Sequence, residues 1–350
     1  MATSTALNPG LATAPTVRSR RLSPGWLLFG AFVVFLLVVD VVCTKVGVSD
    51  DPRIANPGGV RTERPFLGVH SWPLVFSWIF IGVASVMLVV IGGLCIKQRR
   101  LSRTAMVMLA VLVMSFIDPP ANWVSYTIYD PRMPHFPSTW AWFRLSPTVE
   151  PSIVPPTYPL YYGLMGLLAL WLYRSVLSPR LAPTSWFVRH PLWTVYSMGM
   201  VLGFLWDFPT ELFMLRARMY TYSESWGPVI HWHNAAYPLV WGFFTWSSIA
   251  ATSLLLVPDD RGGSRVCSAI ADRVRSAKAR GVGRPSSGSQ LAAGALVLVV
   301  SYLGCFALYG GLRVAHVTHP TSTFWPYGET KIYDPYGEMQ KAGIPGPYYR

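Results

Sequence analysis

Apolar stretches of about 20 residues, long enough to cross a bilayer as helices, recur seven times. They lie near residues 25–45, 73–96, 104–127, 157–177, 191–214, 236–257 and 290–312. Positive side chains collect in alternate gaps: "RSRR" at 18–21, "KQRRLSR" at 97–103, Arg174, Arg180 and Arg189, and the stretch 261–284. Positive residues favour the cytoplasmic face. The pattern therefore predicts an all-α integral membrane protein of about seven transmembrane helices in one bundle, with its N-terminus inside and its C-terminus outside. Residues 1–24 read as a disordered tail, 25–312 as the membrane domain with a basic inner loop at 258–289, and 313–350 as an external C-terminal segment able to act as a lid. The run 26–42 has no small-residue cleavage site and is expected to stay as an anchor rather than leave as a signal peptide.

Composition agrees. The 350 residues are 52% hydrophobic and only 13% charged, against about 25% charged in soluble proteins. Fifteen tryptophans and seventeen tyrosines suit membrane-interface belts. A net charge of +13 would fit a nucleic-acid partner on a globular basic face, but here the charge falls between apolar spans and reads as topology. Cys43, Cys95, Cys267 and Cys305 have no metal-ligand spacing and lie in or beside different spans, so neither a disulfide framework nor a zinc site is expected.

Polar groups interrupt two spans in a similar way. "FIDPPANWVSY" places Asp118 four residues before Asn122, and "LWDFPTELF" places Asp207 four residues before Glu211. Residues i and i+4 share a helix face, and the prolines at 119, 120 and 209 are expected to bend each helix and free backbone groups. Asp118 and Asp207 lie about 15 residues, or roughly 22 Å, from the cytoplasmic ends of their spans. From the other side, Tyr158, Tyr161 and Tyr162 open the fourth span, His231, His233 and Asn234 open the sixth, and His316 and His319 follow the seventh. Trp123 and Trp206 adjoin the acids. Acidic groups inside a membrane mark functional sites by default; the alternative is that Asp207 and Glu211 only pair with Arg216 and Arg218. Two carboxyl groups in one apolar site do not both ionise readily, which supplies an acid and a base without a cofactor.

The motifs "FIDPPANW", "WDFPTELFM" and "IHWHNAAYP", with the span layout, make the chain resemble the AveC-like membrane spirocyclases from about residue 25 onward, excluding the basic inner loop. The resemblance implies cyclisation of a hydrophobic keto-diol polyketide intermediate to a spiroketal, in some members followed by dehydration. Chemistry then assigns Asp207 as the acid, Glu211 or Asp118 as the base, and Asn122, Tyr161 and His231 as groups that orient the oxygens. The expected partners are a hydrophobic small molecule and the lipid bilayer of the cell membrane.

Three alternatives stay open. The D-x-x-x-(N/E) form of "DPPAN" and "DFPTE" can hold Mg²⁺ against a prenyl diphosphate, with Arg132, Arg144, Arg216 and Arg218 nearby. His231, His233, Asp207 and Glu211 can ligate a catalytic metal. A seven-span transporter or receptor needs no reaction at all, although a retinal protein is excluded because none of Lys45, Lys97, Lys278, Lys331 and Lys341 lies mid-span.

Overall fold

The computed structural model describes residues 65–98, 101–233, 235–274, 285–321, 330–334, 336–344 and 346–349. The expected first span, the N-terminal tail, part of the basic loop and Asn234 lie outside the described residues. The protein is mostly helical. Among the described residues, five helices are long and apolar enough to cross a membrane: α1 (Trp72–Gln98), α2 (Arg103–Ser125), α3 (Val154–Arg180), α4 (Pro191–Arg216) and α7 (Ser287–Val314). Between α4 and α7 come the shorter apolar α5 (Leu239–Leu255) and the amphipathic α6 (Arg265–Val274).

One expected span begins differently. Residues 235–238 do not open a helix; Ala235–Pro238 is a strand, β5, paired antiparallel with β4 (Val229–Trp232). The chain reverses through His233, whose φ of 52° lies in the left-handed region that histidine tolerates better than most residues. Pro238 ends the hairpin as the N-cap of α5, leaving that helix 17 residues. Before β4, the strand pair β1 (Thr127–Tyr129) and β2 (Tyr220–Tyr222) joins the end of α2 to the chain leaving α4, and β3 (Glu224–Ser225) pairs with β6 (His319–Pro320) after α7.

Helix α4 buries a single stripe with a repeat of four: Val195, Gly199, Gly203, Asp207, Glu211 and Leu215. Successive members of that series lie one turn apart, so both carboxyl groups continue the buried stripe that the glycines begin. The glycines let α5 approach. A Cβ on Gly199 would lie 2.8 Å from Ala250 Cα, and one on Gly203 would lie 3.0 Å from Trp246 Cα. Small residues four apart are a common way for membrane helices to close on one another. Gly199→Leu is accordingly expected to cost about 1–3 kcal/mol through overpacking, read as a lower thermal midpoint of the detergent-solubilised protein. In contrast, the side chains of α1 are mostly uncovered among the described residues.

Proline shapes the helices that carry polar groups. In α2 the α-helical Arg103–Met114 tightens to a 3-10 turn at Ser115–Ile117 and resumes at Asp118–Ser125. Pro120 has no N–H to offer Phe116 O, and Trp142 Nε1 donates to that carbonyl instead at 2.8 Å. This ties the following loop to the break in α2. In α3 the turn Pro159–Gly163 widens to a π-helix, a local form common at functional sites. The assigned helix α4 runs through Pro209 without a break, so the expected distortion there does not interrupt it.

The C-terminal residues dock on α2. Arg313 of α7 is fully buried; its guanidinium carbon is 3.1 Å from the Tyr126 ring centroid and 4.2 Å from that of Trp123. Trp123 Nε1 donates to Tyr333 Oη at 3.1 Å. A desolvated cation–π contact is worth about 2 kcal/mol or more. Arg313→Met is therefore expected to loosen residues 330–349, measured as faster proteolysis of that segment with the membrane helices still protected.

Candidate active site

The break in α2, the π-turn of α3, the stripe of α4 and the β1–β2 pair surround a cavity of about 120 Å³. Asp118 and Asn122 reach it from α2, Tyr158, Tyr161 and Tyr162 from α3, and Glu211 from α4. Tyr129, Tyr220 and Tyr222 come from the strands, Trp241 from α5 and Tyr302 from α7. Its half-buried wall includes Phe80 of α1 and Met214 of α4.

Two groups of hydrogen bonds organise the carboxylates. Around Asp118, Tyr158 donates to Oδ1, and Asn122 Nδ2 donates to Oδ2 at 2.9 Å. The same amide nitrogen donates to Glu150 Oε2 at 2.8 Å, and Ser146 Oγ donates to that oxygen at 2.6 Å. Asn122 thus holds Asp118 and Glu150 together, and the two carboxyl groups are themselves hydrogen-bonded. Glu150, which the sequence reading missed, is 2% exposed. Burial and then the charge of Asp118 push it well above the usual carboxylate range. Further out, Tyr158 and Tyr302 share a hydrogen bond of 2.9 Å.

On α4, Glu211 accepts from Tyr222 Oη at 3.0 Å and also from Tyr220. One turn earlier, Asp207 is fully buried and takes three donors: Tyr161 Oη at 2.5 Å on Oδ1, and Tyr237 Oη at 2.6 Å and Trp246 Nε1 at 2.8 Å on Oδ2. Asp207 is not among the lining residues; Tyr161 stands between it and the cavity. Glycine makes this possible, since a Cβ on Gly242 would collide with the Tyr237 hydroxyl. Burial raises the phenols of Tyr220 and Tyr222, further aided by the charge of Glu211, so these rings serve as neutral donors.

The structure brings together Asp118, Asn122, Tyr161 and Glu211 and sets Asp207 immediately behind them. It does not bring the histidines: His231 and His233 lie exposed on the β4–β5 hairpin. They are thereby separated from Asp207 and Glu211, the other two members of the envisaged metal set, and no cluster of three or more His, Cys, Asp or Glu among the described residues is arranged to hold a metal. Trp206 packs on Tyr161, with ring centroids 6.0 Å apart, while Trp123 belongs to the Arg313 cluster. Arg132 pairs with Asp130, and Arg216 and Arg218 line a separate pocket with Phe66 and Trp72. The envisaged pairing of Asp207 and Glu211 with Arg216 and Arg218 is thus replaced by tyrosine and tryptophan donors.

Glu150 left little signal, because it lies in a proline-rich loop outside any apolar span. The Trp142 tie, the backbone bond from Phe136 N–H to Glu150 O and the bonds from Asn122 and Ser146 hold it inward. A family model described as spirocyclase AveC-like matches residues 98–333, a region containing every one of the cavity's polar groups. No curated protein and no solved structure gives a match.

Proposed function

The chain belongs to the spirocyclase AveC-like family, and from this premise we propose that it is a multi-pass cell-membrane cyclase that closes a hydrophobic keto-diol to a spiroketal by acid–base catalysis. The observation that carries the reading is the pair of carboxyl systems on one buried cavity: Asp118 with Glu150 on one side, Glu211 on the other. We retain the seven-span arrangement with the N-terminus inside, and no cofactor enters the scheme.

In this reading the first hydroxyl adds to the ketone to give a hemiketal. Asp118, relaying the proton held by Glu150, then protonates the hemiketal hydroxyl, and one water departs to leave an oxocarbenium ion. The second hydroxyl attacks that carbon as Glu211 accepts its proton. The sum is keto-diol to spiroketal plus water, with the catalyst's protonation state restored when the proton returns from Glu211. Asn122 holds the acid pair, and Asp207 acts as a positioning residue by fixing the Tyr161 hydroxyl rather than as the acid itself. Exclusion of bulk water favours ring closure over its reversal. A substrate long enough to form a spiroketal keeps its tail outside a cavity of this size, and the half-buried Phe80 and Met214 offer it a lipid-side path.

The test is to incubate membranes containing the protein with hydrophobic keto-diols and analyse the products by mass spectrometry. A product lighter by one water, formed equally with and without EDTA, supports the reading. Consumption of a prenyl diphosphate with no reaction of keto-diols would replace it with the Mg²⁺-dependent alternative.

A further inference from the structure

We infer that the cavity is a receptor for one small cationic ring, and that it binds a protonated or quaternary cyclic amine in preference to a neutral ring of the same shape. This rests on the cyclase reading only for the identity of the natural cation, an oxocarbenium ion formed in the substrate.

The argument starts from what lines the space. Asp118 and Glu211 reach it from different helices, and no Lys, Arg or His among the described residues lines it. Most of the remaining polar surface is tyrosine, and Trp241 adds an aromatic face. Tyrosine and tryptophan faces attract cations, the more so where water is excluded. A neutral keto-diol requires only hydrogen-bond donors and acceptors, which the tyrosine hydroxyls and Asn122 already provide. Two acidic systems without a counter-charge match a ligand that becomes positive during the reaction, and an enzyme gains rate only from contacts that strengthen in the transition state. Low local polarity amplifies the attraction.

Size narrows the class. An apolar cavity of roughly 150 Å³ takes up benzene, so about 120 Å³ fits one compact six-membered ring and little more. The probes are therefore piperidinium, the protonated form of piperidine that prevails at neutral pH, and cyclohexane, its neutral counterpart of the same shape.

The full-length protein in detergent micelles or nanodiscs would be titrated with each probe, using intrinsic tryptophan fluorescence with empty micelles or nanodiscs as the partition control. The expected result is that the piperidinium binds at least tenfold more tightly. In Asp118→Asn and Glu211→Gln that preference should shrink while binding of the neutral ring persists, which shows that the cavity remains formed. Equal affinity for both rings, or no binding of the cation to the wild type, overturns the inference. The two readings fail separately. Keto-diol cyclisation without cation preference leaves the cyclase and removes the receptor, whereas cation preference with no cyclisation does the reverse.

Discussion

A Glu211→Gln protein is expected to reach the membrane at normal abundance and to turn over keto-diol about 10²–10⁴-fold more slowly than the wild type, the usual contribution of a positioned general base. Glutamine keeps the shape of the side chain and an oxygen that accepts from Tyr222, but it cannot take the proton of the attacking hydroxyl. The measurement is a single-turnover rate at matched protein abundance, with the hemiketal or its open form accumulating in the variant. Asp207→Asn behaves differently in kind. Asp207 offers two oxygens to three donors, so an amide places an N–H against a phenol or indole donor and loosens Tyr161. That defect should appear in thermal stability as well as in rate, whereas the Glu211 defect should appear in rate alone. Wild-type activity in Glu211→Gln would move the base elsewhere.

The difference between these two acids also marks how far sequence could go. The four-residue spacing of Asp207 and Glu211 was enough to put both on one face, because a helix has one period and the apolar run left no doubt that it was a helix. It was not enough to separate their roles, which depend on Tyr161, Tyr237 and Trp246 arriving from other helices. Those arrivals depend in turn on Gly203 and Gly242, whose close contacts have no sequence signature beyond a small residue. Likewise the buried Ala235–Pro238, at the start of the sixth apolar run, pairs as a strand of the β4–β5 hairpin instead of opening a helix. Hydropathy records burial and cannot distinguish a buried strand from a buried helical turn. The histidines followed that hairpin out of the site. Glu150 was illegible for another reason: its loop is proline-rich and irregular, and tertiary ties to α2 help decide where it points.

Glu150 carries the second large effect. Glu150→Gln and Asp118→Asn are each expected to lower turnover by about 10²-fold or more, and the double variant should be little worse than the poorer single one, since groups acting as a unit are not additive. Asn122 and the direct carboxyl contact make them such a unit. The pH profile gives the sharper reading. The active form has Glu150 protonated, and burial together with the charge of Asp118 raises its pKa well above the ordinary carboxylate range. Activity should thus fall as pH rises through that raised pKa, placing the alkaline limb higher than an exposed glutamate would. Glu150→Gln has no proton to lose there, so its low residual rate should show no such limb. A limb that survives in Glu150→Gln with unchanged midpoint would mean that another group holds the proton, and Asp118 would then act without the partner the structure places beside it.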